Sequence, residues 1–137
     1  MSGGTHKLVF TFDNNMMSAN ASVTSGVGNV SGTPAVSGKT VTVNLVGVAD
    51  AQKITVTLSG ATDTLAQVLP NTPVSLNILA GDTSGNKTVN STDISQTRAQ
   101  SGAAATAANF RTDVVVTGSI NGTDVSLVKS HSGVSVP

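Results

Sequence analysis

Apolar and polar residues alternate in several short segments of the first 79 residues of the chain. The clearest of these segments are 8–12, 40–45, 54–58 and 74–78, with weaker ones at 21–25 and 29–36. A period of two with many β-branched residues predicts half-buried β-strands. Glycines and the pair Asn14 and Asn15 separate the segments and predict turns between them.

The spacing of these short strands predicts an all-β domain of the immunoglobulin-like sandwich type over residues 5–80. The alternation stops at Leu79 to Gly81, and we expect a second domain over residues 81–137. The expected fold class is therefore mixed: an all-β immunoglobulin-like sandwich followed by a small all-α pair of loop–helix repeats.

Two helices are predicted in the second domain, near residues 92–101 and 123–132. Each begins at a Thr-Asp pair that can cap its N-terminus, and a glycine follows each of them as the stop signal. The segment 103–110 between them is predicted to form a short helix or turn, with Phe110 in the core.

The segment 81–102 is repeated 31 residues later at 112–133, with seven identical residues. Every acidic residue of the chain is Asp, and those beyond residue 80 are Asp82, Asp93, Asp113 and Asp124. Each of the four falls at position 1 or 12 of a twelve-residue segment, which we name loop 1 (82–93) and loop 2 (113–124). Oxygen-bearing side chains at positions 1, 3, 5 and 12 are what a hard cation needs, so the spacing predicts calcium binding.

Loop 1 offers the fuller set of oxygens. We expect its calcium ligands to be Asp82, Ser84, Asn86, the Thr88 carbonyl, Asn90 directly or through water, and Asp93. Lys87 stands at position 6, where a glycine with positive φ is usual, and we expect backbone strain of about 1 kcal/mol there. Two carboxylates with neutral oxygens predict a modest affinity, suited to extracellular calcium.

Loop 2 is poorer in oxygens, because Val115 at position 3 cannot ligate with its side chain. Its candidate ligands are Asp113, Thr117, Ser119, Asn121 and Asp124. Two outcomes stay open: the loop holds calcium weakly with added waters, or it folds without metal. For both loops the alternative is that the Asp residues form only Asx turns and helix N-caps.

The composition argues against several classes of function and indicates where the protein acts. Seven basic and seven acidic residues make up 10% of the chain, which argues against a nucleic-acid or membrane-surface patch. There is no Cys, and no run approaches the roughly 20 apolar residues of a membrane span. The Thr-, Val-, Asn- and Gly-rich composition is typical of a bacterial extracellular module, so we expect a secreted or cell-surface protein. No signal peptide is recognisable, and we interpret Met1-Ser-Gly-Gly as the start of an internal fragment.

The repeats resemble a known family. The loop–helix duplication, with Asp rather than Glu at position 12 and no preceding helix, resembles a type I dockerin domain over residues 81–133. The marks are Asp82-x-Ser84-x-Asn86-x-x-Val89-Asn90-Ser91-Thr92-Asp93 and Ile120-Asn121-Gly122-Thr123-Asp124. Lys87, Val115 and Thr117 depart from the family pattern.

Dockerins are pairs of calcium-bound F-hand repeats related by near-twofold symmetry, and they bind cohesin modules. The resemblance therefore implies calcium as the cofactor and a cohesin-like module as the partner. It also implies that the partner contacts are Ser91, Thr92, Arg98, Thr123 and Lys129.

Two functions compete. The first is a non-catalytic, calcium-binding docking module that binds a cohesin-like partner and attaches a parent protein to a complex or surface. The second is a calcium-stapled C-terminal cap of a large secreted surface protein, in which the repeats pack on the chain's own β-sandwich. Exposure of Ser91 and Thr92 would favour docking. An enzyme is not expected, since the abundant hydroxyls lack a base and an orienting group.

Overall fold

The structure, a computed structural model, describes residues 4–137, so most of the segment interpreted as a fragment start lies outside it. Seven strands, one 3₁₀ turn and two α-helices are present in this range. They are β1 His6–Thr11, β2 Met16–Ser25, β3 Asn29–Val30, β4 Ala35–Ser37, β5 Thr40–Val46, β6 Gln52–Asp63, β7 Thr72–Ile78, α1 Ser91–Ala99, the 3₁₀ turn Phe110–Thr112 and α2 Gly122–Ser130.

The first sheet is built around β5. Antiparallel pairing with β1 runs from His6 opposite Leu45 to Thr11 opposite Thr40. Strands β3 and β4 pair with β5 as well, so they share its other edge as two short pieces. The alternation predicted from the sequence is confirmed here, because Val41, Val43 and Leu45 are fully buried.

The second sheet has the order β2-β6-β7. Strand β6 lies in its centre and buries Ile54, Val56 and Leu58, as the period of two predicts. The pairing of β2 with β6 shifts register between Met16 and Ser18, between Ser18 and Asn20, and between Val23 and Ser25. Register shifts of this kind mark β-bulges or other irregularities, and a β-bulge bends a strand and increases its twist.

The backbone divides into two compact units. One contains residues 4–49 with 53–76, and its core consists mainly of the buried positions of β5 and β6. The other contains residues 50–52 with 77–137, and α1 packs against α2 within it. The fully buried side chains of this second unit include Val89, Ile120 and Val128.

The expected fold class, an immunoglobulin-like sandwich followed by an all-α pair, is wrong. Strands take 39% of the residues and helices only 16%, so the chain is a small β-rich fold. Each 31-residue repeat contributes a helix of only nine residues, and most of the rest is loop. In the first sheet, β3 and β4 have two and three residues, where an immunoglobulin-like sandwich has full strands.

Phe110 also departs from expectation. It begins the 3₁₀ turn and is 60% exposed, so it is not a core residue. The core of the second unit is therefore smaller than the sequence suggested. Within residues 4–137, no helix is long and apolar enough to cross a membrane.

Candidate metal centre

The carboxylate of Asp82 closes the first half of loop 1. Its Oδ1 accepts hydrogen bonds from the N–H groups of Gly85 at 2.8 Å and Asn86 at 3.1 Å, and its Oδ2 accepts one from Lys87 at 2.8 Å. The Ser84 hydroxyl, 3.3 Å from Oδ1, lies on the same side. An Asp at position 1 thus turns the backbone back around its own side chain.

Asp93, at position 12, is fully buried and ties the loop to α1. Its Oδ1 accepts from Ser84 N–H at 2.9 Å and its Oδ2 accepts from Asn90 N–H at 2.8 Å. The Asn90 side chain in turn accepts from Thr92 N–H, which completes a capping box. Burial would raise the pKa of Asp93, but hydrogen bonds from Asn90, Ser84 and Thr83 outweigh it and hold that pKa below its usual value.

Loop 2 repeats four of the five backbone N–H contacts that the carboxylates of loop 1 accept, and only the position-4 contact of Gly85 has no counterpart. Asp113 accepts from Thr117 N–H at 3.0 Å and Gly118 N–H at 2.8 Å, which are positions 5 and 6. Asp124 accepts from Val115 N–H at 3.0 Å and Asn121 N–H at 2.9 Å, which are positions 3 and 9. Helix α2 begins with the same capping box as α1, built on Asn121. The two loops therefore share one hydrogen-bonded conformation.

The shared conformation requires left-handed backbone at two positions. Position 4 has φ +74° at Gly85 and +58° at Val116, and position 6 has φ +70° at Lys87 and +84° at Gly118. The positive φ expected at Lys87 is thus confirmed. Each loop has a glycine at one of the two positions and a residue with a side chain at the other, where that backbone is strained.

The two repeats complete each other through an exchange of backbone hydrogen bonds. Val89, at position 8 of loop 1, donates to Val134 O and accepts from Gly133 N–H, both of which follow α2. Ile120, at position 8 of loop 2, donates to Ala103 O and accepts from Gly102 N–H, both of which follow α1. Every partner in the second set lies 31 residues from its counterpart in the first. The two repeats are therefore joined by a reciprocal set of equivalent backbone hydrogen bonds.

Most of the proposed ligands of loop 1 are connected by hydrogen bonds to one another or to the backbone of the loop. Asp82, Ser84 and Asp93 are connected by hydrogen bonds, and Asn86 Oδ1 accepts from Thr88 N–H at 2.9 Å. Two carboxylates, a hydroxyl, an amide and a carbonyl are hard oxygen donors, so the donor set fits calcium. The Asn90 side chain, also a candidate ligand, caps α1.

In loop 2, the Thr117 hydroxyl donates to the Ser119 carbonyl oxygen at 3.0 Å. Asn121 Oδ1 accepts from both the N–H and the hydroxyl of Thr123. Val115 contributes no side-chain oxygen. Among the candidate ligands of loop 2, Asp113 and Asp124 are 8% and 0% exposed. Within the described residues, no three His, Asp or Glu side chains gather as a metal cluster.

The residues proposed to contact a partner lie at the surface. Ser91, Thr92 and Arg98 on α1 are exposed, and so are Thr123 and Lys129 on α2. With the 31-residue offset between the repeats, Thr92 corresponds to Thr123 and Arg98 to Lys129, while Ser91 corresponds to Gly122.

Two residues, Thr83 in loop 1 and Arg111 near it, make contacts that were not predicted from the sequence. The Thr83 hydroxyl, in a buried residue, lies 3.0 Å from Gln96 Oε1 and 3.3 Å from Asp93 Oδ1. The Arg111 guanidinium lies so close to Gly85 that a Cβ added there would be 2.7 Å from Nη1. The sequence shows that Thr83 carries a hydroxyl. It shows neither contact, because both depend on tertiary packing.

A further contact joins His131, at the end of α2, to Asp50. Their Nε2 and Oδ2 atoms are 3.3 Å apart, and Asp50 Oδ1 accepts from Ala80 N–H at 2.7 Å. Ala80 lies two residues before loop 1. The contact therefore connects the end of one repeat to the start of the other.

Comparison of the chain with family models, with curated proteins and with solved structures found no match.

Proposed function

We propose that residues 81–137 are a non-catalytic, calcium-binding docking module. In this proposal the module binds a cohesin-like protein module and attaches its parent protein to a complex or surface outside a bacterial cell. The proposal concerns the second unit, and the strand-rich unit is a companion module of the same chain.

The observation that carries the proposal is the exchange between the repeats. Val89 and Ile120 occupy equivalent places, each bonded to the chain that follows the other repeat's helix. Such an exchange fixes two loop–helix elements as one symmetric body. A docking module of the dockerin type needs this relation, because its partner surface is formed by helices that the loops hold in place.

Calcium has a defined role in this proposal. Asp82, Ser84, Asn86 and Asp93 would hold it with side-chain oxygens, together with the Thr88 carbonyl. The bound ion would neutralise two carboxylates in one loop and stabilise the start of α1. These residues already hold the loop through N–H donors, so the cation would add to an organised turn.

Exposure of the helix faces supports docking over capping. Ser91 and Thr92 are exposed at the start of α1, as is Thr123 at the start of α2. Ser91 and Arg98 are seven residues apart on α1 and so share one side of that helix, and exposed hydroxyl and charged side chains of this kind are suited to hydrogen bonding with a folded partner.

Binding to an immobilised panel of cohesin modules, with calcium or with chelator, tests the proposal. We expect at least one cohesin to retain the full chain in calcium and to release it in chelator. The combined substitution Thr92→Arg with Thr123→Arg should abolish retention, because two bulky cations then occupy both equivalent faces. Thr64→Arg adds the same charge at an exposed position in the other unit and should leave retention unchanged.

Asp82→Asn should weaken retention in calcium because it removes one of two carboxylates from loop 1. If no cohesin in the panel retains the chain in calcium, while the helical signal is intact, the docking proposal is wrong. A structural cap of the parent protein would then be favoured.

A further inference from the structure

Loop 2 has the backbone of a calcium loop but not its donor set. The carboxylates at positions 1 and 12 make four N–H contacts, each of which has a counterpart in loop 1. Positions 3 and 5 differ, because Val115 replaces the Ser84 hydroxyl and Thr117 replaces the Asn86 amide. A calcium ion takes six to eight oxygen ligands, and Val115 at position 3 supplies no side-chain oxygen.

The position-7 carbonyl is the second difference. In an EF-hand loop this backbone carbonyl is itself a calcium ligand. In loop 2 it belongs to Ser119, and the Thr117 hydroxyl donates a hydrogen bond to it at 3.0 Å. In loop 1, the position-5 side chain presents an accepting oxygen, Asn86 Oδ1, to Thr88 N–H instead. The hydroxyl of Thr117 thus directs the positive end of a dipole at the carbonyl oxygen that would bind a cation in a calcium loop.

The charges of loop 2 are also compensated without metal. Asp113 and Asp124 are buried, and buried carboxylates are stable when N–H donors hold their oxygens. Each of the four carboxylate oxygens accepts one backbone N–H. Backbone N–H groups therefore hold both carboxylates of loop 2, and the Thr117 hydroxyl donates a further hydrogen bond to the Ser119 carbonyl oxygen.

We infer that loop 2 is a metal-free mimic of a calcium loop, in which the Thr117 hydroxyl stands at the position-7 carbonyl in place of the cation. The chain then binds one calcium ion, in loop 1, while both loops hold their helices in the same way. The stoichiometry of one rests on the proposed function of loop 1; the closure of loop 2 by Thr117 does not.

Calorimetric titration of the full chain with calcium measures the stoichiometry. We expect one ion per chain, lost in Asp82→Asn and retained with unchanged affinity in the matched variant Asp113→Asn. The double substitution V115D/T117N gives loop 2 the missing oxygens and should raise the stoichiometry to two. Two ions in the original chain, one of them lost in Asp113→Asn, would overturn the inference and leave the proposed function standing.

The role of Thr117 has a separate readout. Thr117→Val removes the hydroxyl, and we expect the amides of Thr117 and Gly118 to exchange about fivefold faster in chelator, the effect of one lost hydrogen bond. Thr117→Ser keeps the hydroxyl and should restore the original rates. Unchanged rates in Thr117→Val would overturn the inference, as would a V115D/T117N chain that folds and still binds no additional ion. If the original chain binds no calcium, the proposed function is wrong, and the exchange rates of these two variants still decide the inference.

Discussion

Val89 donates its backbone N–H to the carbonyl oxygen of Val134 at 2.9 Å. Position 8 of loop 1 is therefore bonded to the segment that follows α2. Val136 N–H adds a bond to Lys87 O at 3.0 Å, and its counterpart is the bond from Ala105 N–H to Gly118 O. Because each repeat supplies the strand-like partner of the other, the repeats are expected to fold together.

Truncation after Gly133 tests this dependence. The shortened chain loses the bonds to Val134 O and from Val136 N–H, both of which hold loop 1. We expect the amide of Val89 to exchange faster and calcium affinity to fall, because loop 1 loses its neighbour. The amide of Ile120 donates to Ala103 and should be less affected. Removing Pro137 alone is the matched control, and equal loss of protection at Val89 and Ile120 would contradict the prediction.

Local signals explain which parts of this fold were predictable. The period of two located β5 and β6, and the Asn, Thr and Asp residues at the helix starts located α1 and α2 within two residues. These features depend on neighbours in sequence. Strand order does not, and nothing in residues 29–37 shows that β3 and β4 share one edge of β5. The fold class was wrong because each repeat forms only a nine-residue helix and is otherwise mostly loop, and because the pairing of the strands could not be predicted from local pattern.

The candidate metal centre was likewise predictable only where it depends on spacing along the sequence. Spacing placed the four carboxylates at equivalent loop positions, where they make equivalent bonds. The exposure of Phe110 and the bond from Thr117 to Ser119 depend on where the loop directs a side chain, which residue type does not reveal. Position 4 was missed because Val116, a β-branched residue, gives no sign of a left-handed backbone.

Val116 provides a prediction about stability. Its φ of +58° is strained for a β-branched residue, and its side chain is 69% exposed, so it gains little from burial. We expect Val116→Gly to stabilise the second unit by about 1 kcal/mol, measured by urea unfolding. Gly118→Ala is the converse control, because its φ is +84° and a Cβ there would meet nothing within 4 Å. That substitution should destabilise the unit by about 1 kcal/mol through backbone strain alone. The interpretation fails if Val116→Gly destabilises the unit.

Acid should destabilise the protein through Asp93 and Asp63. Hydrogen bonds lower the pKa of Asp93, as described above, and the Asn14 amide with the N–H groups of Gln67 and Leu65 lowers that of Asp63. A lowered pKa in the folded state means that the unfolded chain binds the proton first as the pH falls. Stability is therefore complete above the ordinary Asp value of about 3.9 and is lost as the pH falls through the lower folded-state values.

Urea unfolding in chelator from about pH 5 to about pH 2 measures this loss. Asp93→Asn should be less stable at neutral pH, because an amide cannot accept from both Ser84 and Asn90 in the same way. Its stability should also depend less on pH, since the group no longer titrates. Asp63→Asn is the counterpart in the other unit. An Asp93→Asn chain with the same pH slope as the original would contradict the prediction.

Calcium should stabilise the second unit and leave the first unchanged. The second unit has few fully buried large apolar side chains, chiefly Val89, Ile120 and Val128, and Phe110 does not add to them. The first unit has the buried faces of β5 and β6. A ligand that binds only the folded state stabilises it by about 2.7 kcal/mol at a hundredfold excess over Kd, which raises amide protection about a hundredfold.

Amide exchange of the full chain, with calcium and with chelator, measures both units at once. We expect the amides of Val89 and Ile120 to gain protection in calcium, while those of β5 do not change. The Asp82→Asn chain should show no difference between the two conditions, because one of the two carboxylates that would bind the ion is gone. Equal protection of Val89 with and without calcium in the original chain would show that packing and hydrogen bonds alone hold the repeats. The carboxylates of loop 1 would then act as those of loop 2 do, as acceptors for the N–H groups of their own turn.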